Sequence, residues 1–197
     1  KLNNDSVLIN KIKEKKTLLF LGALSVSQEN DLIYRIINFY KSSDDIQIYF
    51  IGSGSELKKI RYLIDKYSIQ NVIILEEIHP QFIKDICHHC HAGLIFLNKK
   101  HDSHNIPGKF ISYLRSGLPI IADINSNSDL VNLINENEIG ITNTSSENDQ
   151  FLQEIELLIN NKERLEKMSI NCTNLFNSFF KVEDKADQIL KKLVSIK

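Results

Sequence analysis

The feature that most constrains the fold is the alternation of short apolar runs with helically spaced apolar residues. Residues 17–22 form an apolar run that ends in glycine, and residues 30–41 then repeat apolar side chains at helical spacing. Further strands are predicted at 46–52, 71–75, 92–98, 119–123 and 140–142, and further helices at 56–67, 80–90, 109–115 and 129–137. Such alternation is typical of parallel strands joined by right-handed crossovers. We therefore predict an α/β fold with a doubly wound, mainly parallel, six-stranded Rossmann-like sheet.

The last quarter of the chain has only helical patterns. From residue 149 onward, helical segments begin with acidic residues and end with lysines, which complements the helix dipole. No internal repeat or low-complexity linker divides the chain, so we predict one domain over residues 1–197 with a helical tail over about 149–197. The sequence begins with Lys1 and its only methionine is Met168, so we expect a longer protein with a further domain upstream.

The composition of the chain gives no reason to expect nucleic acid as its main partner. The chain is 42% hydrophobic and 25% charged with a net charge of −1, so it lacks the basic excess that nucleic-acid binding requires. We interpret the lysines at 11–16 as one exposed helix end, and the apolar run after them as a strand instead of a signal peptide. No apolar run is long enough to span a membrane. Three cysteines without an even pairing favour a reducing compartment, the cytoplasm.

A ligand of such a sheet is expected beyond the carboxyl ends of the strands. Helix N-termini at this edge carry unpaired amide groups and a positive dipole end, which suit an anion such as phosphate. The polar loop at 98–109 contains two histidines and is long enough to be a binding loop.

The glycines of "GSGSEL" give only a partial dinucleotide-binding pattern. Gly52 and Gly54 fit it, but Leu57 occupies the third glycine position. We interpret this segment as a tight turn in which Ser55 caps a helix and Glu56 lies in its first turn, with ligand contact still open.

A metal site and a nucleophile are both weakly indicated. Cys87, Cys90 and His91 have the i, i+3, i+4 spacing of one helix face, and His101 or His104 could add a ligand, but the second ligand pair of a structural zinc site is missing. No serine has the context of a nucleophile elbow. We predict no metal, no other cofactor and no catalytic residue in this chain.

The segment "HNIPGKFISYLRSGLPIIAD", residues 104–123, contains two of the three prolines and two of the seven glycines. These residues bracket a short helix with Lys109 in its first turn. A lysine there is suited to act as a point charge on phosphate; the alternative is a solvated surface lysine.

The order of these motifs resembles the C-terminal, donor-binding half of GT-B glycosyltransferases, in particular the retaining family of bacterial capsule and lipopolysaccharide synthesis. The matching segments are "LLFLGALS", "IYFIGSGSELKKI", "NVIILEEIHPQFIKDICHHCHAGLIFL" and "IPGKFISYLRSGLPIIAD". The resemblance implies that a nucleotide-sugar diphosphate lies at the helix start near Lys109 and Gly22, with the base near Ile78. The implied nucleotide-sugar-binding residues are Gly22, Ala23, Gly54, Glu77, Ile78, His104, Ile106, Pro107, Gly108, Lys109 and Ser112.

The same resemblance implies a hexosyltransferase activity for the full-length protein. The donor would be a UDP- or GDP-sugar, and the acceptor a saccharide or a lipid-linked molecule in surface polysaccharide synthesis. The acceptor site and catalytic base of such enzymes belong to the N-terminal half, so we expect the isolated fragment to be inactive. We expect a cytoplasmic location, with peripheral attachment at the inner face of the membrane as an open possibility.

Three departures from the family pattern keep an alternative open. His104 and Ser112 stand where the family often has two glutamates, and Ala23 follows the first glycine where a basic pair is usual. A serine cannot present a bidentate carboxylate to a ribose. The alternative is a degenerate, non-catalytic GT-B-like domain that serves as a binding or scaffold module.

Overall fold

A computed structural model describes residues 2–25, 31–76, 78–99 and 106–179. The strands are β1 (Lys16–Leu21), β2 (Ile46–Ile51), β3 (Val72–Leu75), β4 (Ala92–Phe96), β5 (Ile120–Asp123) and β6 (Gly140–Asn143). The helices are α1 (Leu2–Lys13), α2 (Asp31–Tyr40), α3 (Ser55–Tyr67), α4 (Pro80–His89), α5 (Gly108–Arg115), α6 (Asp129–Glu136), α7 (Asn148–Ile159) and α8 (Lys162–Phe179). The predicted alternation is confirmed, and the observed ends of the predicted strands and helices differ by one or two residues.

The six strands form one parallel sheet in the order β3-β2-β1-β4-β5-β6. All six residues of β2 are buried, as expected for a strand covered on both faces. The predicted doubly wound α/β fold is therefore confirmed. Because the chain winds outward from β1 in one direction and from β4 in the other, the topological switch point lies between these two strands.

Alternate side chains of the strands enter two separate apolar cores. Helices α2, α3 and α7 cover one face of the sheet, where Phe20 and Phe50 are buried. Helices α1, α4, α5, α6 and α8 cover the other face, where Tyr49 and Tyr113 are buried. None of the helices in the described ranges combines the length and apolar character needed to cross a membrane.

Helix α1 was predicted only as a lysine-rich helix end. Lys11 and Lys13 do lie exposed in its last turn, but Ile12 between them is fully buried. Leu8 and Ile9 are partly buried and pack against the same core, so these three residues form an apolar face at helical spacing that the prediction overlooked.

The C-terminal helices are part of the packed structure. Helix α7 buries Phe151 and Ile155 against the first face. Helix α8 packs along α5, where a Cβ atom on Gly117 would lie 2.8 Å from the Ser169 hydroxyl oxygen. Gly117 has φ of +64°, so this close approach and the backbone turn both favour glycine. The predicted tail is thus two helices that cover the sheet, as far as residue 179.

Candidate functional site

The loops after β1 and β2 are joined by backbone hydrogen bonds. The Gly22 amide donates to the Ile51 carbonyl at 2.8 Å, and the Leu24 amide donates to the Ser53 carbonyl at 2.8 Å. A Cβ atom on Gly52 would lie 2.1 Å from the Gly22 carbonyl oxygen, so the two backbones approach each other too closely for any side chain. Residues 22–24 are therefore held close to the loop after β2.

Gly54 has a packing role in this arrangement. A Cβ atom there would lie 2.0 Å from the Leu24 carbonyl oxygen, and φ is +130°. The same carbonyl accepts a hydrogen bond from the Glu56 amide at 3.2 Å, so it covers the N-terminus of α3. The prediction that Ser55 caps this helix is wrong, because Gly54 holds the cap position and no side chain caps it. The N-terminus of α3 is thus already occupied by protein backbone.

The N-terminus of α5 differs in this respect. Its cap position is Pro107, which supplies no side-chain hydrogen bond. Gly108 is exposed, and a Cβ atom there would meet no atom of the described residues within 4 Å. The predicted residues Ile106 and Pro107 lead directly into this helix start, with Ile106 exposed and Pro107 half-buried. A helix N-terminus can accept an anionic group.

Lys109 brings a positive charge to the same place. Its side chain leaves the first turn of α5 and approaches the first loop, with its Cε atom 4.0 Å from the Cβ position of Gly22. Gly22 has φ of +90°, which favours glycine, and both Gly22 and Ala23 are exposed. The structure therefore brings together two predicted site residues, Lys109 and Gly22, that are 87 positions apart in the sequence.

The Lys109 ammonium group lies over an aromatic ring. Its Nζ atom is 3.6 Å from the ring centroid of Phe20, which is fully buried in β1. Burial lowers the pKa of Lys109 to about 7 from its usual 10.5. Within the described ranges, no carboxylate forms an ion pair with this ammonium group. A half-buried cation of this kind is a strong candidate to bind an anionic ligand.

Phe20 was not predicted as a site residue. Its ring packs beside those of Phe50 and Phe96, with centroid distances of 5.9 Å and 6.0 Å. A phenylalanine in an apolar strand is ordinarily a core residue, and nothing in the sequence distinguishes this one. Only the three-dimensional arrangement shows that its ring also forms the base on which the lysine rests.

The remaining predicted residues occupy different positions. Ser112 is on α5 and its hydroxyl group donates to the Gly108 carbonyl at 3.3 Å. Ile78 is partly buried and packs into the apolar core on the α4 side of the sheet. Glu77 and His104 lie outside the described residues.

A buried ion pair lies at the carboxyl ends of β4 and β5. The Lys99 ammonium is 2.5 Å from the Asp123 carboxylate, whose residue is 2% exposed, and it also donates to the Ser145 carbonyl. The Asn125 amide group donates to the Lys99 carbonyl at 2.6 Å. These contacts link the start of the loop before α5 to β5 and to the segment after β6.

The cysteine and histidine cluster has structural contacts. The Nδ1 atom of His91 accepts a hydrogen bond from the Thr17 amide at 3.2 Å, which joins β4 to β1. Burial raises the pKa of the Cys87 thiol to about 12. Burial also raises the pKa of the Cys90 thiol well above its usual range. Across the part of the chain that the structure describes, no group of three metal-ligating side chains is arranged for a metal ion.

Solved structures with the same fold include several glycosyltransferases. The C-terminal domain of a glycosyl transferase group 1 family protein, LpcC, from Francisella tularensis matches with a TM-score of 0.69 at 14% identity, over 88% of this chain and 90% of that one. Anabaena HepE in complex with UDP-glucose matches with a TM-score of 0.71 at 14% identity, over 99% and 53%. WaaG, a glycosyltransferase involved in lipopolysaccharide biosynthesis, matches with a TM-score of 0.65 at 13% identity, over 94% and 50%.

This chain thus spans about half the length of the HepE and WaaG chains. No curated protein matches its sequence. A model of the family described as glycosyl transferases group 1 does match, over residues 4–174, which include the whole sheet and the helix that carries Lys109. The chain therefore belongs to the glycosyl transferases group 1 family.

Proposed function

We propose that this chain is the donor-binding half of a glycosyltransferase and that it binds the diphosphate of a nucleotide-sugar at the N-terminus of α5. The observation that carries this proposal is the position of Lys109, whose ammonium group lies half-buried beside Gly22 with no carboxylate partner in the described ranges. The positive end of the α5 dipole supplies a second favourable electrostatic contribution. The complex of HepE with UDP-glucose, which has the same fold, is consistent with such a ligand.

In the proposed reaction, the chain stabilises charge on the leaving diphosphate. When the sugar is transferred, the bond between its anomeric carbon and the diphosphate breaks and negative charge grows on the departing phosphate oxygen. An ammonium group and helix amides that are already oriented toward this oxygen stabilise the charge without further reorganisation. We expect the acceptor, a saccharide or a lipid-linked molecule, to be held by an N-terminal half that this chain does not contain.

The wider biological setting follows from the same proposal. We expect a retaining hexosyltransferase of capsule or lipopolysaccharide synthesis, acting in the cytoplasm or peripherally at the inner face of the membrane through the other half. The resemblance of the "IPGKFISYLRSGLPIIAD" segment supports this assignment.

Ser112 supports the second candidate, a domain that kept the fold but lost donor binding. Its hydroxyl group is engaged by the Gly108 carbonyl and occupies a place where the resembling family often has a glutamate. A donor that depends on that carboxylate would bind weakly or not at all.

Isothermal titration calorimetry with UDP-glucose and GDP-mannose distinguishes the two candidate functions. The proposal predicts saturable heat with at least one donor, and its loss in Lys109→Ala. Lys162→Ala is the matched control, because the Lys162 side chain is 90% exposed on α8 and should leave binding unchanged. If both donors give no heat with the wild-type chain, the degenerate domain is the correct assignment for these donors.

A further inference from the structure

We propose that Tyr113 is a positioning residue for the nucleotide site, and that its hydroxyl group holds the ends of β1 and β4 apart. The inference rests on the proposed function, because these ends flank the topological switch point, where a ligand of such a sheet is expected, and Gly22 beside Lys109 directly follows β1. Tyr113 is fully buried and would not contact the ligand.

The pairing between β1 and β4 ends early. Strands β1 and β2 pair along their whole lengths, as far as Leu21 and Ile51. Strands β4 and β5 pair as far as Phe96 and Asp123. Between β1 and β4, the pairing consists of only two positions and ends at Leu19 and Gly93. The two central strands therefore separate while each remains paired with its outer neighbour.

The Tyr113 hydroxyl group lies where the next hydrogen bond between these strands would form. If the register continued, Leu21 would lie opposite Ile95, and its amide would donate to the Leu94 carbonyl in a parallel ladder. Instead the Leu21 amide donates to the tyrosine oxygen at 3.0 Å. The hydroxyl group in turn lies 3.3 Å from the Leu94 carbonyl and 3.1 Å from the Leu19 carbonyl, either of which can accept its proton. The hydroxyl group thus satisfies the polar backbone groups that the separation exposes.

Gly93 provides the space for this arrangement. A Cβ atom there would lie 2.6 Å from two carbon atoms of the tyrosine ring. Any other residue at this position would push the ring away from the two strands, so the glycine and the tyrosine function as a pair.

The position of Tyr113 also determines the position of Lys109. The two residues are four apart on α5, about one helical turn, and so lie on the same face. Gly22 follows Leu21 directly in the sequence. One buried hydroxyl group therefore fixes the strand end that precedes Gly22 and the helix face that carries the lysine.

Two measurements on ligand-free protein test the inference, with Tyr113→Phe as the variant. In the wild-type protein the Leu21 amide should be protected from hydrogen exchange, although β1 and β4 do not pair there. In the variant, this amide should exchange about tenfold faster, because it loses its acceptor. The Lys109 pKa, measured by NMR on the side chain, should move away from its wild-type value because the strand end and the helix face around this side chain shift.

A third measurement uses the ligand. The Kd for UDP-glucose or GDP-mannose, whichever the wild-type chain binds, should rise about tenfold in Tyr113→Phe. The matched control is Tyr40→Phe, since Tyr40 is 2% exposed and its hydroxyl group is buried as well. Tyr40 lies at the opposite edge of the sheet, where its carbonyl and that of Ile46 accept from the same Asn71 side chain. The control should keep the wild-type Leu21 exchange rate, Lys109 pKa and donor Kd.

Several outcomes would overturn the inference. An unprotected Leu21 amide in the wild-type protein would do so without any variant. If a folded Tyr113→Phe protein keeps the wild-type Leu21 exchange rate, Lys109 pKa and donor affinity, then Tyr113 is only a core side chain. Failure of the wild-type chain to bind either donor would contradict the proposed function instead, and the two ligand-free measurements would still decide the role of Tyr113.

Discussion

The low pKa of Lys109 leads to a specific prediction about the pH dependence of donor binding. In the free protein, burial lowers this pKa to about 7, so most molecules carry a neutral amine at pH 8. A bound diphosphate favours the ammonium form and raises the pKa again. Binding must therefore take up a proton above pH 7, and affinity should be highest below pH 7 and fall as pH rises.

The size of the effect follows from the linkage between protonation and binding. If the bound pKa returns to its usual range, the apparent Kd grows with the neutral fraction, by about 15-fold between pH 7 and pH 8.5. At pH 8, about 0.9 proton should be taken up for each donor bound. The diphosphate of a nucleotide-sugar does not titrate in this range, so the protein group is responsible for the change.

Titration calorimetry with UDP-glucose or GDP-mannose in buffers of different ionisation enthalpy measures both quantities. Two variants serve as controls. Lys109→Arg keeps a permanent charge and should bind with little pH dependence, because arginine does not deprotonate in this range. Lys109→Met should bind weakly at every pH. A wild-type affinity that stays constant between pH 7 and pH 8.5, or a decline that persists in Lys109→Met, would refute the reasoning.

Three further predictions concern stability and reactivity. Lys109→Met should raise the free energy of unfolding of the ligand-free protein, most strongly below pH 7. The gain should shrink between pH 7 and pH 10.5, because the wild-type amine is already neutral there in the folded protein. Urea denaturation at several pH values measures this difference in the free energy of unfolding. Gly54→Ala should lower the free energy of unfolding by about 2 kcal/mol or more in the same assay, because its Cβ would overlap a backbone carbonyl. Gly108→Ala should change it by less than about 0.5 kcal/mol, because its Cβ would meet no atom of the described residues within 4 Å. Burial raises the thiol pKa of Cys87 and Cys172 to about 12, so neither should react with iodoacetamide at pH 8 until urea unfolds the chain; rapid labelling of the native protein, followed by mass spectrometry, would contradict this burial.

The fold could be predicted from the sequence because each strand and most helices have a consistent local signal. Strand β2, for example, is an uninterrupted apolar run, and α2 repeats its apolar residues at helical spacing. The predictions that failed depend on contacts between distant segments. The N-terminus of α3 is covered by the Leu24 carbonyl, which no local pattern around Ser55 could reveal. Helix α1 is a different case, because Leu8, Ile9 and Ile12 attach it to the core and their local spacing was overlooked beside the lysines.

The spatial arrangement of the candidate site was predictable in part for the same reason. Lys109 stood out because proline and glycine mark the start of its helix, and Gly22 because it ends a strand. Phe20 and Tyr113 have the sequence signature of ordinary core residues. Their relation to the site arises from the separation of β1 and β4, which is a property of the assembled sheet.

The most direct test of the account is an amide NMR titration of the 197-residue chain with UDP-glucose and GDP-mannose. The account predicts that at least one donor produces saturable shift changes at Gly22, Gly108 and Lys109, and that Lys109→Met abolishes them. Saturable shifts confined to another part of the chain, or no shifts with either donor, would contradict the assignment of the α5 N-terminus as the binding site for these donors.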